Sequence, residues 1–369
     1  MTGIYIHVPF CARKCPYCDF YSAAYRKDTV QGYVQAVVRN IESLADKEIK
    51  ADSIYFGGGT PSLLSVPQTE AILNAAQRAF ELSEPEITLE VNPCTADRKK
   101  LEGYRKAGVN RLSVGVQSSD RKELETLGRL HDFSRAEMTV RDAVSVGFEN
   151  ISCDIMAGIP GQSLESLEQT ADALTELPIE HISAYLLRIE QGTGFDCEKI
   201  RNSVPEEEIV SEMYLRMAEK FEKAGFEQYE ISNFAKNGFE SGHNMKYWTG
   251  EQYIGIGPSA YSFFGGKRYH CPRDIQDFIR KDTQAIVVDE ESPDRLEEYI
   301  MLGLRLKRGV SLQRLEQLGA QTKAVTQRAG LYTKAGLCSF DGENICLTPR
   351  GWLVSNSIIA ELEQLASER

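Results

Sequence analysis

Short runs rich in Ile, Val and Leu recur at residues 4–8, 53–56, 87–91, 111–116, 151–155 and 181–187, each followed by glycine or a polar residue. Their length and their bounding residues read as β-strands. Amphipathic stretches with helical spacing fill the gaps, at about 30–44, 66–82, 96–107, 121–130, 134–146 and 164–177. A strand followed by a helix, repeated, predicts a parallel sheet, because parallel neighbours need a crossover. Six such units predict an α/β fold, a partial (β/α)6 barrel. Its ligands would gather at the carboxyl ends of the strands.

After residue 187 the rhythm changes. Residues 206–224 read as one long helix, 229–269 as a stretch rich in glycine and aromatic residues, and 294–306 as a helix. Residues 338–340 and 345–347, joined by Asp341-Gly342, read as a hairpin. Thr348-Pro349 then opens a last helix through Ala366. The pattern divides into a barrel over 1–225, a linking region over 226–285, and a smaller α+β C-terminal domain over 286–369 with a winged-helix-like end.

The chain has 369 residues, enough for a large core. Its 42% hydrophobic and 26% charged residues are ordinary for a globular protein. A net charge of −12 provides no broad footprint for nucleic acid or an anionic membrane, so no nucleic-acid partner is expected. No window approaches the roughly 18 apolar residues of a membrane span. No charged and apolar leader precedes the first strand, so a cytoplasmic location is expected.

Nine cysteines, an odd number without a leader, do not suggest a disulfide framework. Three of them crowd into Cys11-Ala12-Arg13-Lys14-Cys15-Pro16-Tyr17-Cys18, directly after the first strand. Three thiolates on one short loop can hold three irons of a cubane 4Fe–4S cluster and leave the fourth iron open. A small molecule with an amine and a carboxylate can chelate that iron. A structural zinc site is the alternative, but it wants four closed ligands, usually as two pairs. No second pair stands at that spacing.

The CxxxCxxC spacing resembles the signature of the radical SAM superfamily. That resemblance implies a 4Fe–4S cluster and S-adenosylmethionine (SAM) as cofactors. It continues down the barrel. Gly57-Gly58-Gly59-Thr60-Pro61 follows the second strand and resembles the family motif that meets the amino group of SAM. Glu90, Gln117, Arg129 and Asp154 then fall at or near later strand ends. A carboxylate suits a cation, Arg129 suits a carboxylate as a fork, and Gln117 and Asp154 suit ribose hydroxyls. Their order, and Tyr5 in Tyr5-Ile6-His7-Val8-Pro9-Phe10-Cys11, match the coproporphyrinogen oxidase-like branch. Tyr17 holds the position that packs on the adenine of SAM in this superfamily.

Within the branch the sequence departs from the oxidases. Where their pattern continues with a cysteine two residues after the third, this chain has Phe20. Their extension ahead of the first strand is not expected here, the strand starting near residue 3. Residues Gly242-His243-Asn244-Met245-Lys246-Tyr247-Trp248 resemble the HNxxYW motif of the branch's heme chaperones. That resemblance implies heme as bound cargo, with His243, Asn244, Tyr247 and Trp248 as candidate contacts. It also implies partners that accept heme, cytochromes or respiratory hemoproteins. A neutral imidazole is a good axial ligand, and Tyr and Trp offer flat surfaces to a porphyrin. The same motif read structurally would stabilise a domain junction. His270, beside Cys271-Pro272, is a second ligand candidate. Competing readings are a radical SAM decarboxylase acting on a porphyrinogen, and an enzyme modifying tRNA, which the acidic charge disfavours. Catalytic residues, and whether SAM is cleaved, are left open.

Overall fold

The computed structural model describes residues 1–367. Twelve strands form the main sheet: β1 (Thr2–Val8), β2 (Lys50–Gly58), β3 (Glu81–Val91), β4 (Arg111–Gln117), β5 (Asn150–Ala157), β6 (His181–Leu186), β7 (Glu227–Glu230), β8 (Asn233–Ala235), β9 (Tyr253–Ile256), β10 (Tyr261–Phe264), β11 (Lys267–His270) and β12 (Val287–Glu290). Their order is β12-β11-β10-β9-β1-β2-β3-β4-β5-β6-β8-β7. β1 to β6 run parallel in sequence order, as the alternating pattern predicts.

The sheet continues beyond the six β/α units. β9 pairs with β1 in parallel, Tyr5 opposite Gly255, and becomes a seventh parallel strand on the open side of β1. It lies within the glycine- and aromatic-rich stretch 229–269, where Gly255 interrupts the apolar pattern of the strand. β10 to β12 extend this side as an antiparallel meander, and β7 and β8 close the other side, also antiparallel. The stretch 226–285, read as a link, therefore contributes five strands to the main sheet. Residues 229–235 are the last two residues of β7, a turn, and β8.

The two faces of the parallel strands differ sharply. Ile4, Ile6 and Val8, Ile54 and Phe56, Leu112, Val114 and Val116, and Cys153 and Ile155 are all fully buried under the surrounding helices. The alternate positions point into the barrel: Tyr5 and His7, Ser53 and Tyr55, Thr88 and Glu90, Arg111 and Ser113, Ser152 and Asp154, His181 and Ser183. Side chains alternate across a strand, so one face holds the apolar core and the other a polar lumen. Several of the helices on this sheet start where a polar side chain accepts their free N–H groups. Asp97, Asp120, Asp132 and Ser163 all do so.

The C-terminal part carries a three-stranded sheet: Val310–Ser311, Asn344–Leu347 and Cys338–Phe340. It packs with Leu312–Gln317 and Thr322–Lys334, a winged-helix-like arrangement. The last helix is not continuous. Pro349–Leu353 ends at Val354, and Ser355–Ser367 restarts. Trp352 in the first piece is buried and donates Nε1–H to the Leu304 carbonyl at 3.0 Å, which ties it to the end of the helix Arg295–Gly303. Among the described residues no helix is long and apolar enough to cross a membrane.

Candidate functional site

The carboxyl ends of the strands gather the motif residues. β1 runs through Pro9 into Phe10–Cys11 and the cysteine loop. This loop and the end of β2 touch closely. A side chain at Gly59 would meet the carbonyls of Phe10 and Val8 at 2.7 and 2.8 Å, so only glycine lets the two backbones approach. Gly58, at φ +107°, lies over the His7 ring, and its N–H donates to Glu90 Oε2 at 3.1 Å. Thr60 directs its hydroxyl to Cys11 Sγ at 3.8 Å.

Cys11, Cys15 and Cys18 are free and partly exposed on one loop, which a Cys18 N–H to Cys15 carbonyl bond at 3.2 Å tightens. Burial raises the thiols of Cys11 and Cys18. Among the described residues no group of three His, Cys, Asp or Glu side chains closes on one metal ion. A cubane asks for a different geometry, one thiolate at each of three irons. Pro16 is wedged between Gly128 and Gly194, where side chains would come within 2.8 and 3.0 Å of it. Tyr17 packs on Phe195, ring centroids 6.1 Å apart. Phe20 points away into solvent, 65% exposed.

Arg129 leaves the end of the Arg121–Thr126 helix and turns into this corner. Its Nη2 donates to the Gly115 carbonyl at 2.9 Å and its Nη1 reaches Cys15 Sγ at 3.8 Å, while Nε is buried with no partner. Gln117, the last residue of β4, sits at φ 72°, a left-handed conformation that side chains rarely adopt. Deeper in the lumen are two buried acids. Glu90 accepts from Tyr55 as well as Gly58, and burial, followed by repulsion from Asp154, pushes its carboxyl up to about 7. Asp154 accepts from Ser113 at 2.9 Å and is likewise raised by burial. Tyr5 donates to His7 Nδ1, because His7 Nε2 must donate to the Tyr21 carbonyl.

The structure thus brings Tyr5, Tyr17, Gly58, Gly59, Thr60, Glu90, Gln117, Arg129 and Asp154 to one mouth and the lumen beneath it. Sequence reasoning missed Tyr55, Ser113, His7 and Phe195. The alternation of polar with apolar residues along each strand was the available signal for the first three.

His243, Asn244, Tyr247 and Trp248 lie elsewhere. They ride on the helix Gly242–Thr249, which seals the opposite end of the barrel. His243 is 0% exposed, with Nδ1 bonded to Ser53 Oγ and Nε2 to Tyr247 Oη, both at 2.9 Å. Burial, then the charges of Lys246 and Arg111, lower it to about 3, so it stays neutral. Its ring packs on Gly3 near the start of β1. Glu86 of β3 accepts the N–H groups of Gly242 and His243 at the helix start, both at 3.1 Å. Lys246, also buried, is held by Asp52 at 2.8 Å and Glu251 at 3.1 Å. Trp248 lies under the Arg305 guanidinium from the C-terminal part, 5.6 Å from ring centre. Asn244 gives its N–H to the Ser241 cap. The motif joins the barrel floor to the C-terminal part, and His243 presents no free nitrogen for an iron.

Comparison with known proteins agrees with this geometry. The model of the Radical SAM superfamily matches residues 5–174, and that of the HemN C-terminal domain matches residues 291–354. The fold and the cysteine mouth define a radical SAM protein, a class that uses a 4Fe–4S cluster and SAM. The heme chaperone HemW of Bacillus subtilis (strain 168) is 35% identical over 97% of this chain and 98% of its own. The HemW of Lactococcus lactis subsp. lactis (strain IL1403) is 30% identical over 97% and 96%. This chain belongs to the HemW heme chaperone family. The solved coproporphyrinogen III oxidase HemN of Escherichia coli shares the fold, with a TM-score of 0.83, 18% identity, and coverage of 98% of this chain and 90% of that one.

Proposed function

We propose that this chain binds heme and passes it to acceptor hemoproteins, cytochromes or respiratory hemoproteins of the cytoplasmic side, with a cluster and SAM held at the barrel mouth. Cys11, Cys15 and Cys18 would hold three irons. Their free thiols on one loop fit that task, and metal binding takes up the raised thiols as thiolates. The cluster, when bound, supplies an open iron corner for the amine and carboxylate of SAM.

The donor set of the lumen fits SAM. Glu90 and Asp154 are acids raised first by burial; an ammonium suits Glu90, and a ribose hydroxyl suits Asp154. Arg129 keeps a buried N–H free for an anionic group. Gly58, Gly59 and Thr60 offer close backbone and a hydroxyl beside Cys11. Tyr17, backed by Phe195, offers an aromatic face to the adenine, and Gln117 a side chain at the rim. Tyr5 lines the floor of this space and orients His7.

The observation that carries the chaperone reading is Phe20. At the position where the oxidases have a further cysteine, this chain puts an apolar ring that turns 65% of its surface to solvent. The full-length likeness to named heme chaperones supports the same reading. The experiment is direct transfer: load the purified chain with hemin, mix it with an apo-hemoprotein, and follow the acceptor's spectrum and activity. Transfer faster than from free hemin or serum albumin supports the reading. Heme that never leaves, or never binds, contradicts it.

A further inference from the structure

If His243 is closed to iron, the axial ligand lies elsewhere. We propose that His270 is that ligand, held in the right tautomer by Asp289, on the exposed face of the β10–β11–β12 meander. This inference rests on the heme reading above and names its site.

Among the described histidines His7, His181 and His243 have both ring nitrogens bonded inside the protein. His131 is buried, with Nε2 on the Val116 carbonyl. His270 differs. Its Nδ1 faces the Asp289 carboxylate, 2.9 Å from each oxygen, and its Nε2 has no hydrogen-bond partner among the described residues. The side chain is 24% exposed. A carboxylate on Nδ1 fixes the proton there and leaves the Nε2 lone pair free, the arrangement that metal-binding histidines use.

The sheet builds this pair. Between Arg268 and Tyr269 the register of β11 on β12 shifts, Arg268 facing Glu290 and Tyr269 facing Val288. Asp289 is the extra residue of that bulge. A bulge re-aims a side chain, and here it sends a carboxylate to His270. The imidazole is held on its other side by Tyr261, stacked with ring centroids 5.1 Å apart and planes at 30°.

The surroundings suit a porphyrin. Tyr261, His270 and Val287 are cross-strand partners, so they share one face of three adjacent strands. Neighbouring strands lie about 4.8 Å apart, so the row spans roughly 10 Å, near the width of a porphyrin ring. Tyr261 is 51% exposed and Val287 45%. Unlike single exposed apolar residues, these adjoin one another around a free imidazole nitrogen.

The test uses the full chain titrated with hemin, alongside His270→Ala, His270→Gln, Asp289→Asn and His243→Gln. The expected result is heme affinity at least about tenfold weaker with a shifted Soret band in both His270 variants, recovered by added imidazole, and little change in His243→Gln. In the ferrous form, Asp289→Asn should lower the iron–histidine stretching frequency, a shift that a loss of folding does not produce. A His270→Ala protein with unaltered affinity and spectrum overturns the assignment while the heme reading stands. An unshifted stretch in Asp289→Asn overturns the role of the carboxylate. No binding by the unaltered chain overturns the heme reading itself.

Discussion

Arg129 reaches Cys15: its Nη1 lies 3.8 Å from the sulfur while Nη2 is tied to the Gly115 carbonyl at 2.9 Å. One guanidinium therefore spans the cysteine loop and β4, with Nε turned into buried space. If Arg129 meets the SAM carboxylate as proposed, Arg129→Ala should weaken SAM binding by about 1.5–3 kcal/mol, roughly ten- to a hundredfold. Arg129→Lys should recover only part of this, since an ammonium cannot span the same two directions. Calorimetry on cluster-loaded protein checks both. Unaltered affinity in Arg129→Ala would leave the residue a mere brace of the loop.

The cluster assignment separates the cysteines. Cys11→Ala, Cys15→Ala and Cys18→Ala should each prevent an intact 4Fe–4S cluster. Cys153 and Cys271 are buried core residues and Cys94 stands on an exposed turn, so their alanine variants should load normally. Iron and sulfide analysis with EPR on anaerobic protein decides between them, and full loading of Cys15→Ala would contradict the assignment.

Glu90 makes stability depend on pH in a particular direction. Its carboxyl titrates near 4.5 in the unfolded chain and about 7 in the folded one. The folded state then binds the extra proton between those values. The contribution is fully present below about 4.5 and is lost as pH rises to about 7. Glu90→Gln should abolish this part of the slope in SAM-free protein. Urea unfolding at a series of pH values measures it, and an identical slope in the variant would show that Glu90 is ionised throughout.

His243 predicts the opposite sign. It is neutral when folded, titrating at about 3, against 6.5 for the ordinary group. The unfolded chain takes up the proton first, so stability falls as pH drops from 6.5 towards about 3. His243→Ala strands the hydroxyls of Ser53 and Tyr247 and opens a cavity under Gly3. The expected loss is about 2–4 kcal/mol of stability with an unaltered Soret band in heme-loaded protein. A normal melting temperature with a lost Soret band would instead make His243 the iron ligand.

Much of this was legible in the sequence, for physical reasons that differ by element. β1 to β6 announced themselves because one face of each is apolar, mostly Ile, Val and Leu. The cysteine mouth was legible because eight consecutive residues carry all three ligands. β9 was hidden because Gly255 and Gly257 supply no pattern, and its partner β1 lies some 250 residues away in sequence. The function of His243 was hidden for a related reason. A short motif shows which residues travel together, and the motif could not show that Ser53, Gly3 and Glu86 would close around its histidine. His270 stayed in the background because its partner Asp289 is brought to it only by a bulge.

The central claim is that this barrel handles heme rather than decarboxylating a porphyrinogen. The most direct measurement takes one anaerobically reconstituted sample with SAM and a reductant and splits it. One half is titrated with hemin and the other is given coproporphyrinogen, with carbon dioxide release followed over time. The account predicts saturable heme binding, at about one heme per chain if His270 is the axial ligand, and no carbon dioxide above a Cys15→Ala control. Sustained SAM-dependent release of carbon dioxide, without heme binding, would contradict it.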